Sequence, residues 1–330
     1  MLKLLVFRDQ LKALYGRFSH LIIPLTRFFL ALVSMILLNQ NLGYMKVLKS
    51  PVIPLVLSLI CSVCPFGGVC WILALFMLAH IFAVSLELSL ITAAFLLVVA
   101  LLYYGFAPGD SVLLIVTPLL FVVKLPYLVP LLVGLGCALV SVIPMGCGIV
   151  IYFILQYVHQ NAGPLTSGDS VDITQRFVQM INGILLNRTM LMYLIAFAVT
   201  AIAVGLIRRL SVSHAWSIAI VSGVVILLTA FFLGMSLYGV SISALPLFLG
   251  CTGAGLLAAL YQFFVFSVDY TRTEYTQFED DDYYYYVKAV PKLTVTRPEP
   301  KVQRISSSRR SRRQKEGSAA GGREVRGGSL

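Results

Sequence analysis

The sequence predicts an all-α polytopic membrane protein with about eight transmembrane helices, or ten if each of two broken helical regions counts as two spans. Three observations predict it. Of the 330 residues, 59% are hydrophobic and only 12% charged, about half the charge of a soluble domain. From Phe18 to Phe266 one apolar stretch follows another, many near the ~20 residues that a bilayer core demands of a helix. Runs such as Ile91 to Tyr104 and Val221 to Leu233 are apolar on nearly every face, which excludes the alternation of a β-barrel strand.

The first segment, residues 1–18, places Leu4, Phe7, Leu11, Leu14, Tyr15 and Phe18 at spacings of three and four, opposite Lys3, Arg8, Lys12 and Arg17. This is the pattern of a basic amphipathic helix lying in the membrane interface. Its interleaved charge argues against a cleavable signal peptide. Residues 19–268 form the transmembrane domain. The first crossing is His20 to Leu38, where Arg27 must face protein, water or headgroups and Pro24 can kink the helix.

Two broken regions follow. Pro51 to Cys64 is apolar but too short to cross before Pro65-Phe66-Gly67-Gly68 interrupts it, and Pro130 to Ile143 ends in the same way at Pro144-Met145-Gly146-Cys147-Gly148. An offset of 79 residues pairs Pro51 with Pro130, Pro65 with Pro144, Gly67 with Gly146 and His80 with His159, the signature of an internal repeat. Between them lie Trp71 to Phe82, Leu88 to Tyr104, a turn at Ala107–Ser111 and Val112 to Lys124. Asp110 or Ser111 reads as the N-cap of the helix after the turn. Lys124 reads as a snorkelling, lipid-facing lysine.

Residues 159–189 are the longest polar interruption and carry a second amphipathic stripe, Ile173, Phe177, Met180, Ile181, Ile184 and Leu185. Three clear crossings complete the domain: Met190 to Ile207, Ala215 to Gly234 and Leu245 to Phe266. Arg208 and Arg209 after the first and the basic tail after the last place both on the cytoplasmic side. The 159–189 loop is then extracytoplasmic, and a cytoplasmic N-terminus requires an even number of crossings. Lys46 and Lys49 fall outside, against that trend.

Discontinuous helices at membrane depth expose backbone groups and helix ends that can hold a solute. A substrate path therefore runs past Pro65, Gly67, Gly68, Pro144, Gly146 and Gly148, with Glu87 as the costly ionisable residue beside it. Glu87 either shares a helical face with His80 or sits in a turn at Ser85 to Ser89. Asp110 is a helix cap rather than an ion ligand. No nucleotide-binding, serine-hydrolase or zinc-protease motif occurs, and the four histidines are scattered, so the chain reads as a non-enzyme without cofactor or metal. The Cys61–Cys64 pair lacks a second pair or nearby histidine, and the six cysteines read as small buried hydrophobes rather than a disulfide framework.

Net charge is +11 and is concentrated at the end: residues 297–330 carry 10 Lys/Arg against 3 Asp/Glu. That tail, centred on Arg309, Arg310, Arg312 and Arg313, cannot build a core and reads as disordered, attracted to anionic lipid at the cytoplasmic face. Nucleic-acid binding is the weaker reading, since no aromatic stacking platform accompanies the arginines. Before it, residues 269–296 are acidic and tyrosine-rich. Tyr283, Tyr284, Tyr285 and Tyr286 favour a strand, which needs an edge from a homo-oligomer copy or a separate protein partner. The plainer alternative is a solvated linker with aromatic anchors.

The run D-Y-T-R-T-E-x-x-Q-F-E-D-D-D-Y-Y-Y-Y-V-K-A-V-P-K, from Asp269 to Lys292, resembles the C-terminal signature of an uncharacterised family of polytopic membrane proteins from Gram-positive anaerobic bacteria. The resemblance implies a multi-pass protein of a bacterial plasma membrane and carries no activity. Two functions fit the whole chain. One is a transporter or permease-like protein moving a small or amphiphilic solute; the other is a membrane scaffold that recruits a partner through its C-terminal segments.

Overall fold

Helix α1 runs Leu2–Asn41 and bends at Phe18, whose φ of −116° and ψ of 20° leave the helical region. The bend falls where the basic amphipathic stretch gives way to apolar sequence. The computed structural model describes residues 2–166, 173–212, 214–265, 274–279 and 284–289. Ten further helices follow among these: α2 Val52–Val63, α3 Phe66–Phe82, α4 Leu86–Phe106, α5 Ser111–Val122, α6 Leu128–Gly136, α7 Val142–Thr166, α8 Ile173–Leu185, α9 Arg188–Ile207, α10 Ala215–Tyr238 and α11 Ala244–Val265. A 3-10 turn, Leu139–Ser141, introduces α7.

Among the described residues, six helical stretches are long and apolar enough to cross a membrane: Gln10–Asn41, Leu86–Phe106, Leu139–Asn161, Ile181–Ile207, Ala215–Tyr238 and Ala244–Val265. These are the helices of a multi-pass membrane protein. The sequence predicts eight or ten; α2, α3 and α5 are also apolar but shorter than these six, and both broken regions turn back instead of continuing. After α2, Cys64 and Pro65 are extended, with ψ of 149° and 158°, as the steric demands of proline on itself and its predecessor require. Helix α3 then returns: the Met45 N–H, in the loop before α2, donates to His80 Nδ1 near the end of α3 at 3.4 Å.

The second reversal joins α5 to α6. Lys124 adopts a left-handed φ of 63°, Pro126 follows, and α6 carries the chain back until Ser141 Oγ donates to Asp110 Oδ2 beside the start of α5. The two hairpins enter from opposite ends of α7. At one end His159 Nδ1 donates to the Asn41 carbonyl at 2.6 Å, beside the open ends of α2–α3; at the other lies Ser141. Eighteen residues separate His159 from Ser141, about 27 Å of helix, close to a hydrocarbon core.

The second interruption therefore stands at Cys137 and Ala138, with ψ of 177° and 161°, and not at 144–148. Pro144 sits in the first turn of α7, where its missing N–H has no intrahelical acceptor to lose. Gly146 and Gly148 lie within continuous helix. A Cβ on Gly148 would stand 2.6 Å from Thr117 Cβ, so this glycine serves the close approach of α7 to α5. The 79-residue pairing consequently matches a helix break at Pro65 with an unbroken helix start at Pro144.

Helix α6 is the most deeply held element. Leu128, Val129, Pro130, Leu131, Val133, Gly134 and Leu135 are all buried, in one core with residues of α9, α10 and α11. Gly134 makes the approach to α9 feasible, since a Cβ there would meet Val204 at 2.7 Å and the Ala201 carbonyl at 2.9 Å. Phe121, Tyr152, Tyr193, Phe197 and Phe231 pack edge-on or tilted beside it, with ring centroids 4.6 to 6.2 Å apart.

Residues 268–330 form a separate unit. Within it β1, Glu274–Glu279, pairs antiparallel with β2, Tyr284–Ala289, in the register Glu274↔Ala289 to Glu279↔Tyr284. The tyrosine strand thus finds its edge within its own chain, where the sequence alone points to a second copy or another protein. Tyr283 and the arginines 309, 310, 312 and 313 lie outside the described residues.

Candidate functional site

A cavity of about 350 Å³ lies among α1, α3, α4, α5 and α7. One hairpin supplies α3 and the other α5, and the two form adjoining walls, with Ile115 in one packed cluster with Val69, Leu73 and Phe76. The middle is apolar, built from residues such as Leu73, Met77, Leu96, Val99, Leu114 and Ile115. Polar groups gather at two ends. Asn41, Gln156, His159 and Gln160 stand at one, and Trp71, Tyr103 and Tyr104 at the other. None of the lining residues is Asp, Glu, Lys or Arg, so a solute in the middle meets no formal charge.

Local structure fixes the aromatic end. The Trp71 indole N–H donates to the Tyr104 hydroxyl at 2.9 Å, tying α3 to α4. The Tyr103 hydroxyl donates to the Pro108 carbonyl and Cys70 Sγ to the Ser111 carbonyl at 3.3 Å, which anchor the turn between α4 and α5. At the opposite end the His159–Asn41 bond joins α7 to α1. Gln156 and Gln160 make no side-chain hydrogen bond among the described residues, leaving amide donors and acceptors for a ligand.

Of the sequence-predicted path, Gly67 lines the cavity, with Pro65 at the hairpin tip and Gly68 beside it. Gly68 packs on that tip, where a Cβ would stand 3.4 Å from Cys64 Cβ. Glu87 sits in the first turn of α4, a seat that the helix dipole favours. Because α3 ends at Phe82 and α4 begins at Leu86, Glu87 and His80 do not share a helix. His80 is wholly buried, its ring 4.9 Å from that of Phe76, and its Nε2 has no partner among the described residues. Asp110 precedes α5 but makes no capping bond; its carboxylate accepts from Ser141 instead. Pro144, Gly146 and Gly148 are outside the lining.

Sequence reasoning, which drew the path along Pro51 to His80 and Pro130 to His159, missed Ser34, Asn41 and Gln160 as lining residues. A signal for part of the set was present: His20, Arg27, Ser34 and Asn41 recur every seven residues along α1, which keeps them near one face. Ser34 and Asn41 line the cavity. Arg27, two turns from Ser34, lies with its guanidinium 4.9 Å from the centroid of Phe66, the residue before cavity-lining Gly67.

At the open end of the α5–α6 hairpin, the inner of the two, Arg208 follows α9 and donates to the carbonyls of Leu135 and of Cys137, the latter at 2.7 Å. A cation there satisfies the orphan carbonyls that end α6. No protein-family model, curated protein or solved structure matches this chain.

Proposed function

We infer that the protein is a transporter or permease-like membrane protein that moves a small or amphiphilic solute. The observation that carries this reading is the cavity walled by one helix from each of two hairpins that enter from opposite ends of α7. Such discontinuous helices, with polar groups at both ends of an apolar chamber, suit a site reached from either face in turn. The end bearing Asp110, Arg208 and Arg209 is assigned to the cytoplasm by the positive-inside rule, with both chain termini on that side. The resemblance of the Asp269–Lys292 segment favours a bacterial plasma membrane.

The test is side-resolved cysteine labelling in intact cells and in inverted vesicles, in a background lacking the six native cysteines. Ala74→Cys and Leu119→Cys, which line the cavity, react with a membrane-impermeant maleimide. Exposed, outward Leu75→Cys and Leu97→Cys do not. Protection of all four from both faces would overturn a solute path.

A second reading, a scaffold that recruits a partner, has one observation in its favour: Tyr284 and Tyr286, two apart on one strand face, are 69% and 77% exposed. Deletion of residues 269–330 separates the two. Loss of function with an intact, labelled cavity would favour recruitment.

A further inference from the structure

The polar stripe of α1 contains one charge, and that charge is unanswered. Arg27 is half-buried, fourteen residues or about 21 Å of helix from Asn41, inside a stretch long and apolar enough to cross a membrane. Its Nε is buried and has no hydrogen-bond partner, and no carboxylate pairs with it among the described residues. The contact it has is the Phe66 ring, and a cation on an aromatic face keeps most of its hydrogen-bond donors unused. A guanidinium inside a span is costly unless protein, water, headgroups or an anion meets it. Phe66 begins α3, whose N-terminus has no side-chain cap, so its first N–H groups lack intrahelical acceptors.

We propose that Arg27 binds the anionic headgroup of a lipid whose apolar part occupies the cavity between the hairpins. This rests on the reading of the cavity as a solute path and names its solute class. Three features select a lipid-like amphiphile over a free anion. The chamber next to Gly67 is apolar and free of formal charge, and it is large enough for part of an acyl chain. Arg27 sits on a helix face within the span rather than in a loop. Above it Ser34 and Asn41 continue the same stripe to the amide cluster of Gln156 and Gln160, a set of uncharged polar groups for a head that travels the length of α1. A guanidinium fork matches phosphate geometry with paired donors.

The experiment uses the full chain in vesicles of phosphatidylcholine and phosphatidylglycerol in equal amounts. Lipids retained on the purified protein are counted by native mass spectrometry. Wild type retains phosphatidylglycerol over phosphatidylcholine by about tenfold or more, the scale of one charge-assisted bidentate contact. Arg27→Gln abolishes the preference, and Arg27→Lys, which keeps the charge and serves as the folding control, retains part of it. Equal retention of both lipids by wild type, or an undiminished preference in Arg27→Gln, overturns the proposal. Displacement of the lipid by millimolar inorganic phosphate would assign the site to a free anion and overturn the lipid headgroup. Transbilayer movement of chain-labelled phosphatidylglycerol is measured in the same vesicles. An Arg27-dependent preference without movement above that of protein-free vesicles supports the site while refuting transport.

Discussion

The two hairpins are alike in plan and opposite in how they are held. In α6 the side chains are almost all buried, and both ends of the α5–α6 hairpin are fastened, by Arg208 on the carbonyls of Leu135 and Cys137 and by Ser141 on Asp110. In α2 the buried residues are Pro54, Ser58 and Cys61, whereas Val52, Leu55, Val56, Leu59, Ile60 and Val63 are exposed. Its tip, Cys64–Pro65, has no side-chain capping bond. An element with few buried contacts opens at lower free energy than one inside the core. By burial α6 is the most firmly held helix of the two hairpins and α2 the least, while α3, which lines the cavity, buries Val69, Leu73, Phe76, Met77, His80 and Ile81.

Breaking the fastenings should therefore hurt the inner hairpin in graded steps. Arg208→Ala removes a cation from two carbonyls; at about 1.5–3 kcal/mol per charged hydrogen bond, a loss near 3 kcal/mol is expected, read as a lower melting temperature of the detergent-solubilised protein. A variant as stable as wild type would mean that the inner hairpin is held by packing alone. Ser141→Ala leaves the Asp110 carboxylate without that donor and should cost about 1 kcal/mol. Measured with Arg208→Ala in a double-mutant cycle, the two should couple, since Asp110 and Arg208 both interact with Cys137; strict additivity would show that the two contacts hold the hairpin independently.

Much of this architecture was legible in the sequence because it follows from solvent. Long apolar runs, the joint between the basic stretch and the first span at Phe18, and the three last crossings all arise from local hydropathy. The hairpins were not legible. Pro65 announces a break, but whether the chain then continues or returns depends on His80 meeting Met45, a tertiary fact. At the second region proline was misleading: Pro144 marks a helix start, and the break at Cys137–Ala138 carries no proline or glycine of its own, only Gly136 before it. The cavity was half legible. Gly67 was found through its glycine pair, while Ser34 and Asn41 became lining residues only when α1 was placed against α7.

A small expected effect sharpens the contrast most. Pro144 and Pro65 pair in sequence, yet Pro65 holds an extended turn between two helices, whereas Pro144 occupies a buried first turn that needs no proline for its backbone geometry. Pro144 is buried, so Pro144→Ala should cost about 1 kcal/mol in lost packing while removing no hydrogen bond, and should leave labelling at Ala74→Cys unaltered. Pro65→Ala instead permits the residue before it to become helical, so α2 and α3 can begin to merge and the labelling pattern around Gly67 should shift. Equal disturbance by the two substitutions would place a working hinge at Pro144 and restore the symmetry between the broken regions that their sequences imply.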